Sequence, residues 1–196
     1  MLDQNEIELF RDNVRKFLEK EVAPHYDQWE KEEKFPRELW NQLGENGFLC
    51  VDVPEAYGGF GADFRLSAVI VEEASRLGFG ALASNLSVHS DIVAPYILHL
   101  GTEEQKQAWL PKMVTGEAVG SIGMTEPGAG SDLQGMKTRA EKRRRPLCDQ
   151  WSEDFYHQWP AQRRYRPGHQ NRSQCRRQGR DAVYRGRHHR GVLPWP

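Results

Sequence analysis

The amino-acid composition changes abruptly near residue 142, and this change limits how much of the 196-residue chain can fold. Residues 143–196 contain 13 Arg but no Lys, Ile or Met, and only four acidic residues. Their formal charge is +9, whereas residues 1–142 carry −10. A segment so poor in apolar side chains cannot bury enough surface to offset the chain entropy lost on folding. We therefore expect a folded part within residues 1–142 and an irregular or disordered tail over 143–196.

Before that point, apolar residues recur at the spacing of consecutive amphipathic helices. One helix is predicted over residues 3–23, where Asp3 and Glu6 have the spacing of a capping box. Together these segments predict an all-α domain over residues 1–117. The other predicted helices run from Pro36 to a stop at glycines 44 and 47, over 66–77, over 81–100, and onward from a second capping box at Thr102 and Gln105.

An apolar run over residues 118–124 breaks the helical spacing and marks a domain boundary. Small residues are interleaved within the run, which is typical of a short buried strand. We therefore predict that a β-domain starts here and extends over 118–142.

A loop rich in glycine and proline follows this run. Pro127, Gly128 and Gly130 interrupt regular structure, and Thr125 and Ser131 supply hydroxyls that donate and accept hydrogen bonds. Backbone N–H groups beside glycines can come close to a ligand. The loop could therefore hold a planar ring with polar edges or a phosphate, although a plain tight turn fits the residues equally well.

Residues 122–132, IGMTEPGAGSD, resemble the signature of the acyl-CoA dehydrogenases, flavoenzymes that desaturate acyl-CoA thioesters. In that family this strand and loop lie against the flavin of FAD. The resemblance implies that Thr125 hydrogen-bonds the flavin and that Ser131 contacts the acyl-CoA substrate. The residues that it implies for cofactor binding are Ile122, Met124, Thr125, Gly130 and Ser131.

The resemblance covers residues 1–142, with further matching segments at 54–61, 89–97 and 101–106. The amino-acid sequence of residues 131–138 is most similar to that of the long-chain branch of the family. In the family, a helical domain, a β-domain and a second helical domain enclose FAD and the acyl chain. A glutamate of the third domain removes the α-proton, so we expect the catalytic base beyond Pro196 and name no catalytic residue. The resemblance also implies electron transfer to an electron-transfer flavoprotein and, in intact relatives, a homotetramer.

Other candidate catalytic and metal-binding groups have simpler explanations. Glu72 and Glu73 are adjacent on a predicted helix and do not face each other, so a solvated or ion-paired edge is favoured over acid–base catalysis. His89, Ser90 and Asp91 are consecutive, whereas the members of a catalytic triad meet from different elements. We therefore predict that His89 packs in the interior or lines a channel. The three cysteines lack metal-ligand spacing, so the sequence predicts neither a disulfide framework nor a metal site.

No apolar run reaches membrane-spanning length, and the acidic start of the chain is unlike a signal peptide. These observations predict a soluble, cytoplasmic protein without a membrane span.

The arginine-rich tail has two explanations. In the first, the chain is a non-enzymatic helical domain whose basic tail binds nucleic acid or a protein partner. In the second, which we favour, codons can be chosen for residues 143–159 that spell DGDHYVINGVKTFITNG when read one base later. That string resembles the family segment after the signature loop, and a 14-residue stretch within 182–196 gives SIVVDTTEGFYRGR in the same shifted frame. We therefore hypothesise a frameshift close to residue 142, expect a truncated and inactive chain, and do not expect nucleic acid as a partner.

Overall fold

The computed structural model describes residues 3–137 and the backbone of residues 140–141 and 148–149. The described residues fall into two compact units that divide between Ser121 and Ile122. The first unit is helical, as the sequence predicts. The predicted domain limits stay predictions. The tail predicted over 143–196, with its frameshift, lies outside the described residues except for the backbone of 148–149.

Seven α-helices form the described part of the first unit, and no described helix is both long and apolar enough to cross a membrane. Helices α1 and α5 each continue into a π-helical segment, and 3₁₀ turns lie at Glu55–Tyr57 and, in the second unit, at Leu133–Gly135. Strand β1 (Ala140–Glu141) pairs antiparallel with β2 (Cys148–Asp149). The helical segments are α1 (Gln4–Phe17) with Leu18–Val22, α2 (Tyr26–Lys31), α3 (Arg37–Glu45), α4 (Phe64–Arg76), α5 (Gly80–Ser87) with Val88–Val93, α6 (Ala94–Leu100) and α7 (Glu103–Val114).

Both predicted capping boxes are present. Asp3 accepts a hydrogen bond from the backbone N–H of Glu6 at 2.8 Å, and the Glu6 carboxylate accepts one from the backbone N–H of Asp3 at 2.8 Å. Thr102 and Gln105 form the same reciprocal pair at the start of α7. Each box satisfies backbone N–H groups that have no partner within the helix, which is why these two helices begin where the sequence places them.

The prediction that Gly44 ends the second helix is wrong, because Gly44 lies inside α3. A Cβ at this position would lie 2.4 Å from the carbonyl oxygen of Thr115. Gly44 therefore lets α3 come close to the end of α7. The helix ends at Glu45, and Gly47 follows with a φ of +70°, a left-handed conformation that favours glycine.

The buried strand predicted over 118–124 does not form among the described residues. Residues 118–125 are half-buried; Ile122 forms an isolated β-bridge, and none of them belongs to a helix or a strand. A strand exists only where a neighbouring strand completes its hydrogen-bond ladder, and no described strand pairs with this segment. Apolar alternation alone therefore misplaced the start of regular β structure, which lies at β1 in the described part.

Aliphatic side chains fill the core of the helical unit, where α1 packs on α4, α4 on α5, and α6 on α7. Phe48 extends this core at the end of α3. Its ring contacts Phe10 and Phe17 edge-on, with centroids 5.7 and 5.4 Å apart, the geometry that aromatic pairs prefer. Core residues with no more than 2% exposure include Val14, Leu18, Val22, Leu39, Leu43, Leu82, Leu86 and Leu110.

A buried carboxylate fixes α1 against α4. The side chain of Glu73 is 1% exposed and accepts hydrogen bonds from Arg11 Nη1 at 2.8 Å and from Arg15 Nε at 2.9 Å. The hydrogen bond from Arg15 is the largest of the effects that lower the pKa of Glu73. Glu72 is 52% exposed and contacts the same Arg11 nitrogen at 2.7 Å. The predicted ion-paired edge is therefore confirmed, with Glu73 as its buried member.

We expect Glu73→Gln to lower the free energy of unfolding by about 2 kcal/mol, because it leaves Arg11, Arg15 and Arg76 beside a neutral, buried amide. The matched control is Glu72→Gln, which removes the same charge from an exposed position and should cost less than about 1 kcal/mol. Urea unfolding of the two variants and the unsubstituted chain measures both effects. Equal losses in the two variants would contradict the assignment of Glu73 as the residue that ties the helices together.

Candidate functional site

The glycine-rich loop folds back on itself in a tight turn. The N–H of Glu126 donates to the carbonyl of Ala129 at 2.9 Å, and the N–H of Ala129 donates to the carbonyl of Glu126 at 3.1 Å. Pro127 and Gly128 form the exposed corner, whereas Glu126 and Ala129 are buried. The turn considered in the sequence analysis is therefore present. Its existence does not decide between a plain turn and a binding loop.

Two carboxylates stabilise the loop by accepting hydrogen bonds from backbone N–H groups that follow them in the chain. The buried Glu126 accepts a hydrogen bond from the backbone N–H of Lys137 at 2.7 Å, which links the two ends of the loop. Asp132 accepts one from the N–H of Gly135 at 3.2 Å and starts the 3₁₀ turn. Glu126 thus joins the two ends of the loop, and Asp132 stabilises one turn within it. Both carboxylates provide partners for backbone N–H groups.

The residues predicted to bind the cofactor lie on this one loop and the segment before it. Ile122, Met124 and Thr125 are half-buried, and Gly130 and Ser131 are exposed. Within the described residues, neither the Thr125 nor the Ser131 hydroxyl has a hydrogen-bond partner. A Cβ added at Gly128 or Gly130 would meet no atom within 4 Å, so the backbone is open there. This arrangement offers hydroxyls and accessible backbone groups beside half-buried apolar side chains.

His89, the other residue singled out by the sequence, is fully buried in the π-helical segment after α5. Its Nδ1 accepts a hydrogen bond from the N–H of Gly120 at 2.9 Å, and its Nε2 lies 3.1 Å from the carbonyl oxygen of Met113. A backbone N–H can only donate and a carbonyl can only accept. The two partners therefore select the neutral imidazole with its proton on Nε2.

The surroundings of His89 exclude a role in proton transfer or nucleophilic catalysis. Burial, with a smaller contribution from Arg37, lowers the pKa of His89 to about 4. Burial also raises the pKa of the Cys50 thiol, 3.5 Å from Nε2, to about 12. A neutral imidazole with both nitrogens engaged has no lone pair for a substrate proton, and the thiol stays protonated. The prediction that His89 packs in the interior is confirmed.

The adjacent Ser90 and Asp91 do not complete a triad with His89. The Ser90 hydroxyl accepts a hydrogen bond from the backbone N–H of Cys50 at 3.0 Å, and Asp91 accepts one from the hydroxyl of Ser67. Each of the three consecutive residues therefore has its own partners on other elements. Among the described residues there is also no group of three or more His, Cys, Asp or Glu that could hold a metal ion.

Two contacts, one within the loop and one in the segment before it, could not be recognised from the sequence. Glu126 lies within the signature, but nothing in the sequence indicates that its carboxylate would bind an N–H eleven residues later. Gly120 was noticed only as a small residue in an apolar run, although it is the partner of His89. Both contacts are to backbone groups, which every residue carries, so no side-chain pattern could have identified them.

The buried neutral His89 should make stability depend on pH. Its folded pKa of about 4 lies below the ordinary value of 6.5, so between these values the unfolded chain binds a proton that the folded chain does not. The stabilisation is fully present above about pH 6.5, and about 3 kcal/mol is lost as the pH falls towards 4. Urea unfolding at pH 7, 5.5 and 4.5 measures it.

His89→Asn is the control for this pH dependence, because it keeps a neutral acceptor but cannot titrate. The carboxylates of the variant, including Glu73, still titrate as in the unsubstituted chain. The difference between the two plots of unfolding free energy against pH therefore reports the titration of His89 alone. The Asn variant should lose less stability over the same pH range. Parallel curves would show that His89 has an ordinary pKa in the folded chain.

Residues 4–117 match the N-terminal domain of the acyl-CoA dehydrogenases. The mitochondrial long-chain specific acyl-CoA dehydrogenase of Sus scrofa is 45% identical over 138 residues, which are 70% of this chain and 32% of that protein. This chain therefore spans about a third of the length of these curated relatives.

Solved structures give the same result. An acyl-CoA dehydrogenase from Geobacillus kaustophilus has a TM-score of 0.71 and 51% identity, and the match covers 76% of this chain and 39% of that one. An acyl-CoA dehydrogenase complexed with FAD from Bacillus anthracis has a TM-score of 0.65 and 38% identity, covering 70% of this chain and 24% of that one. With the match over residues 4–117, these similarities establish that the chain belongs to the acyl-CoA dehydrogenase family.

Proposed function

We propose that this chain forms the first helical domain and the cofactor-binding loop of an FAD-dependent acyl-CoA dehydrogenase, which desaturates acyl-CoA thioesters between the α and β carbons. The observation that carries the proposal is the loop itself. Its ends are fastened by Glu126 and Lys137, yet the hydroxyls of Thr125 and Ser131 are not used by any described residue. A loop that is held in place while these two hydroxyls have no partner among the described residues suits a ligand.

The residues present fit a flavin, a planar ring with polar edges. Thr125 and Ser131 can donate to or accept from the ring edge, and the open backbone at Gly130 permits close approach. Ile122 and Met124 are apolar and half-buried, which suits contact with the ring face. We infer that these five residues hold FAD, which when bound accepts the hydride from the β-carbon, and that Ser131 also contacts the acyl-CoA.

None of the three titratable groups that the sequence singled out is suited to act as the catalytic base. Glu73 is held by two arginines, Glu72 lies on the surface beside Arg11, and His89 is buried and neutral. The described residues therefore act through recognition of the cofactor and substrate. Electron transfer to an electron-transfer flavoprotein, a fatty-acid β-oxidation role, assembly as a tetramer and a cytoplasmic location are further parts of the proposal, and they rest on the family resemblance.

We also propose that residues 143–196 are translated out of frame, so that this 196-residue chain has little or no dehydrogenase activity. Two separate stretches of the tail give family-like sequences in the same shifted frame and in the right order, which supports the idea. Resequencing the coding DNA around codon 142 should find a length difference that is not a multiple of three. Confirmation of the present frame, together with bound flavin and turnover in the purified 196-residue chain, would refute both points.

In the protein with its frame restored after residue 142, we expect Thr125→Val to weaken FAD binding about tenfold. The substitution keeps the size of the side chain but removes one hydrogen bond to the flavin, worth about 1–1.5 kcal/mol. Quenching of flavin fluorescence during titration measures the affinity.

The matched control for this measurement is Thr115→Val. The Thr115 hydroxyl donates to the carbonyl of Lys112 at the end of α7, at 3.2 Å, so its loss should leave FAD affinity unchanged. If Thr125→Val binds FAD as tightly as this control, Thr125 does not contact the flavin.

A further inference from the structure

We propose that His89 is a positioning residue: by holding Gly120, it fixes the point at which the chain leaves the helical unit towards the loop that contains Thr125. The importance of this role for catalysis rests on the proposed function. The contact itself does not, because it lies entirely within the helical unit.

The chain between α7 and the loop is tied to the helical unit at successive residues. The side chain of Arg37 donates to the carbonyl of Glu117, and the N–H of Ala118 donates to the carbonyl of Lys112 at 2.8 Å. The N–H of Gly120 then donates to His89. Between described residues the next backbone hydrogen bond lies within the loop at Glu126, and Ile122 forms an isolated β-bridge. Among the described residues, Gly120 is therefore the last one before the loop that hydrogen-bonds to the helical unit.

Close packing fixes Gly120 from the other side. A Cβ at this position would lie 2.7 Å from Val93 Cγ1 and 3.0 Å from Met113 Cε. Val93 is buried and β-branched, so it has little freedom to move away. Only glycine therefore fits at position 120 without rearrangement. The hydrogen bond to His89 and the contact with Val93 together fix the position of the backbone there.

The imidazole ring is a rigid link between two backbone groups. Nε2–H donates to the carbonyl of Met113 near the end of α7, Nδ1 accepts from Gly120, and the Trp40 ring packs against the imidazole with centroids 5.4 Å apart. The ring thus fixes Gly120 relative to the end of α7, within the helical unit.

The test compares two amide substitutions in the 196-residue chain. His89→Asn places an acceptor near the position of Nδ1, whereas His89→Gln places its polar group near the position of Nε2. The readouts are amide hydrogen exchange at Gly120 and backbone ¹⁵N order parameters over residues 121–125. We expect exchange at Gly120 to rise about tenfold in the Gln variant, with lower order parameters over 121–125, and expect the Asn variant to retain both values.

A role for His89 in packing alone would affect both variants similarly, and that result would overturn the proposal. Loss of protection at Gly120 with unchanged order over 121–125 would also overturn it. If the Gln variant does not fold, the unsubstituted chain still gives a test. Its ¹⁵N spectrum should show the Nε2–H tautomer and a scalar coupling between the Gly120 amide and Nδ1, and a proton on Nδ1 would disprove the assignment.

These readouts need no flavin, so failure of the two proposals can be told apart. If Gly120 behaves as expected but the frame-restored protein binds no FAD, the proposed function fails and the positioning role of His89 within the helical unit remains. If FAD binds but the Asn and Gln variants behave alike, the proposed function remains and the positioning role fails.

Discussion

Buried backbone N–H and carbonyl groups must find partners, and one buried histidine meets this requirement for the two groups that connect α7 to the loop. His89 serves the carbonyl of Met113 and the N–H of Gly120 at the same time, and those two partners dictate its tautomer. The hydrogen bond that holds Gly120 therefore depends on an imidazole that stays neutral. The lowered pKa of His89 follows from the same geometry as the structural role.

Two buried carboxylates show how acidic residues serve structure in this chain. Glu73 receives two arginine side chains and joins α1 to α4, whereas Glu126 receives a backbone N–H and closes the loop. In both cases burial is tolerable because hydrogen bonds replace the water that the carboxylate loses. A glutamate in a family of enzymes that use a glutamate base invites a catalytic interpretation. Here the partners of each carboxylate decide against it.

The sequence predicted the helical unit well because its signals are local. The spacing of apolar residues and the capping boxes at Asp3 and Thr102 depend on neighbours within one or two turns. Gly44 was misplaced because its neighbour, Thr115, comes from a distant part of the chain. The strand predicted over 118–124 failed for the same reason, since a ladder partner cannot be recognised from one segment. The chemistry of the loop singled out Thr125, Gly130 and Ser131, but their assignment to a flavin came only from the resemblance to a family signature. The contact between Glu126 and the N–H of Lys137 was not predicted.

The backbone of the loop is held by its own carboxylates, while the hydroxyls of Thr125 and Ser131 have no hydrogen-bond partner among the described residues. A free loop of this composition would gain entropy and let its hydroxyls turn to water. Glu126 and Asp132 limit that freedom by binding backbone N–H groups, which leaves the hydroxyls of Thr125 and Ser131 unengaged by described residues. The order of the loop is thus established by side chains that do not touch the proposed ligand. Because the entropy is lost on folding, less remains to be lost when a flavin binds, and the hydroxyl contacts can contribute more fully to affinity.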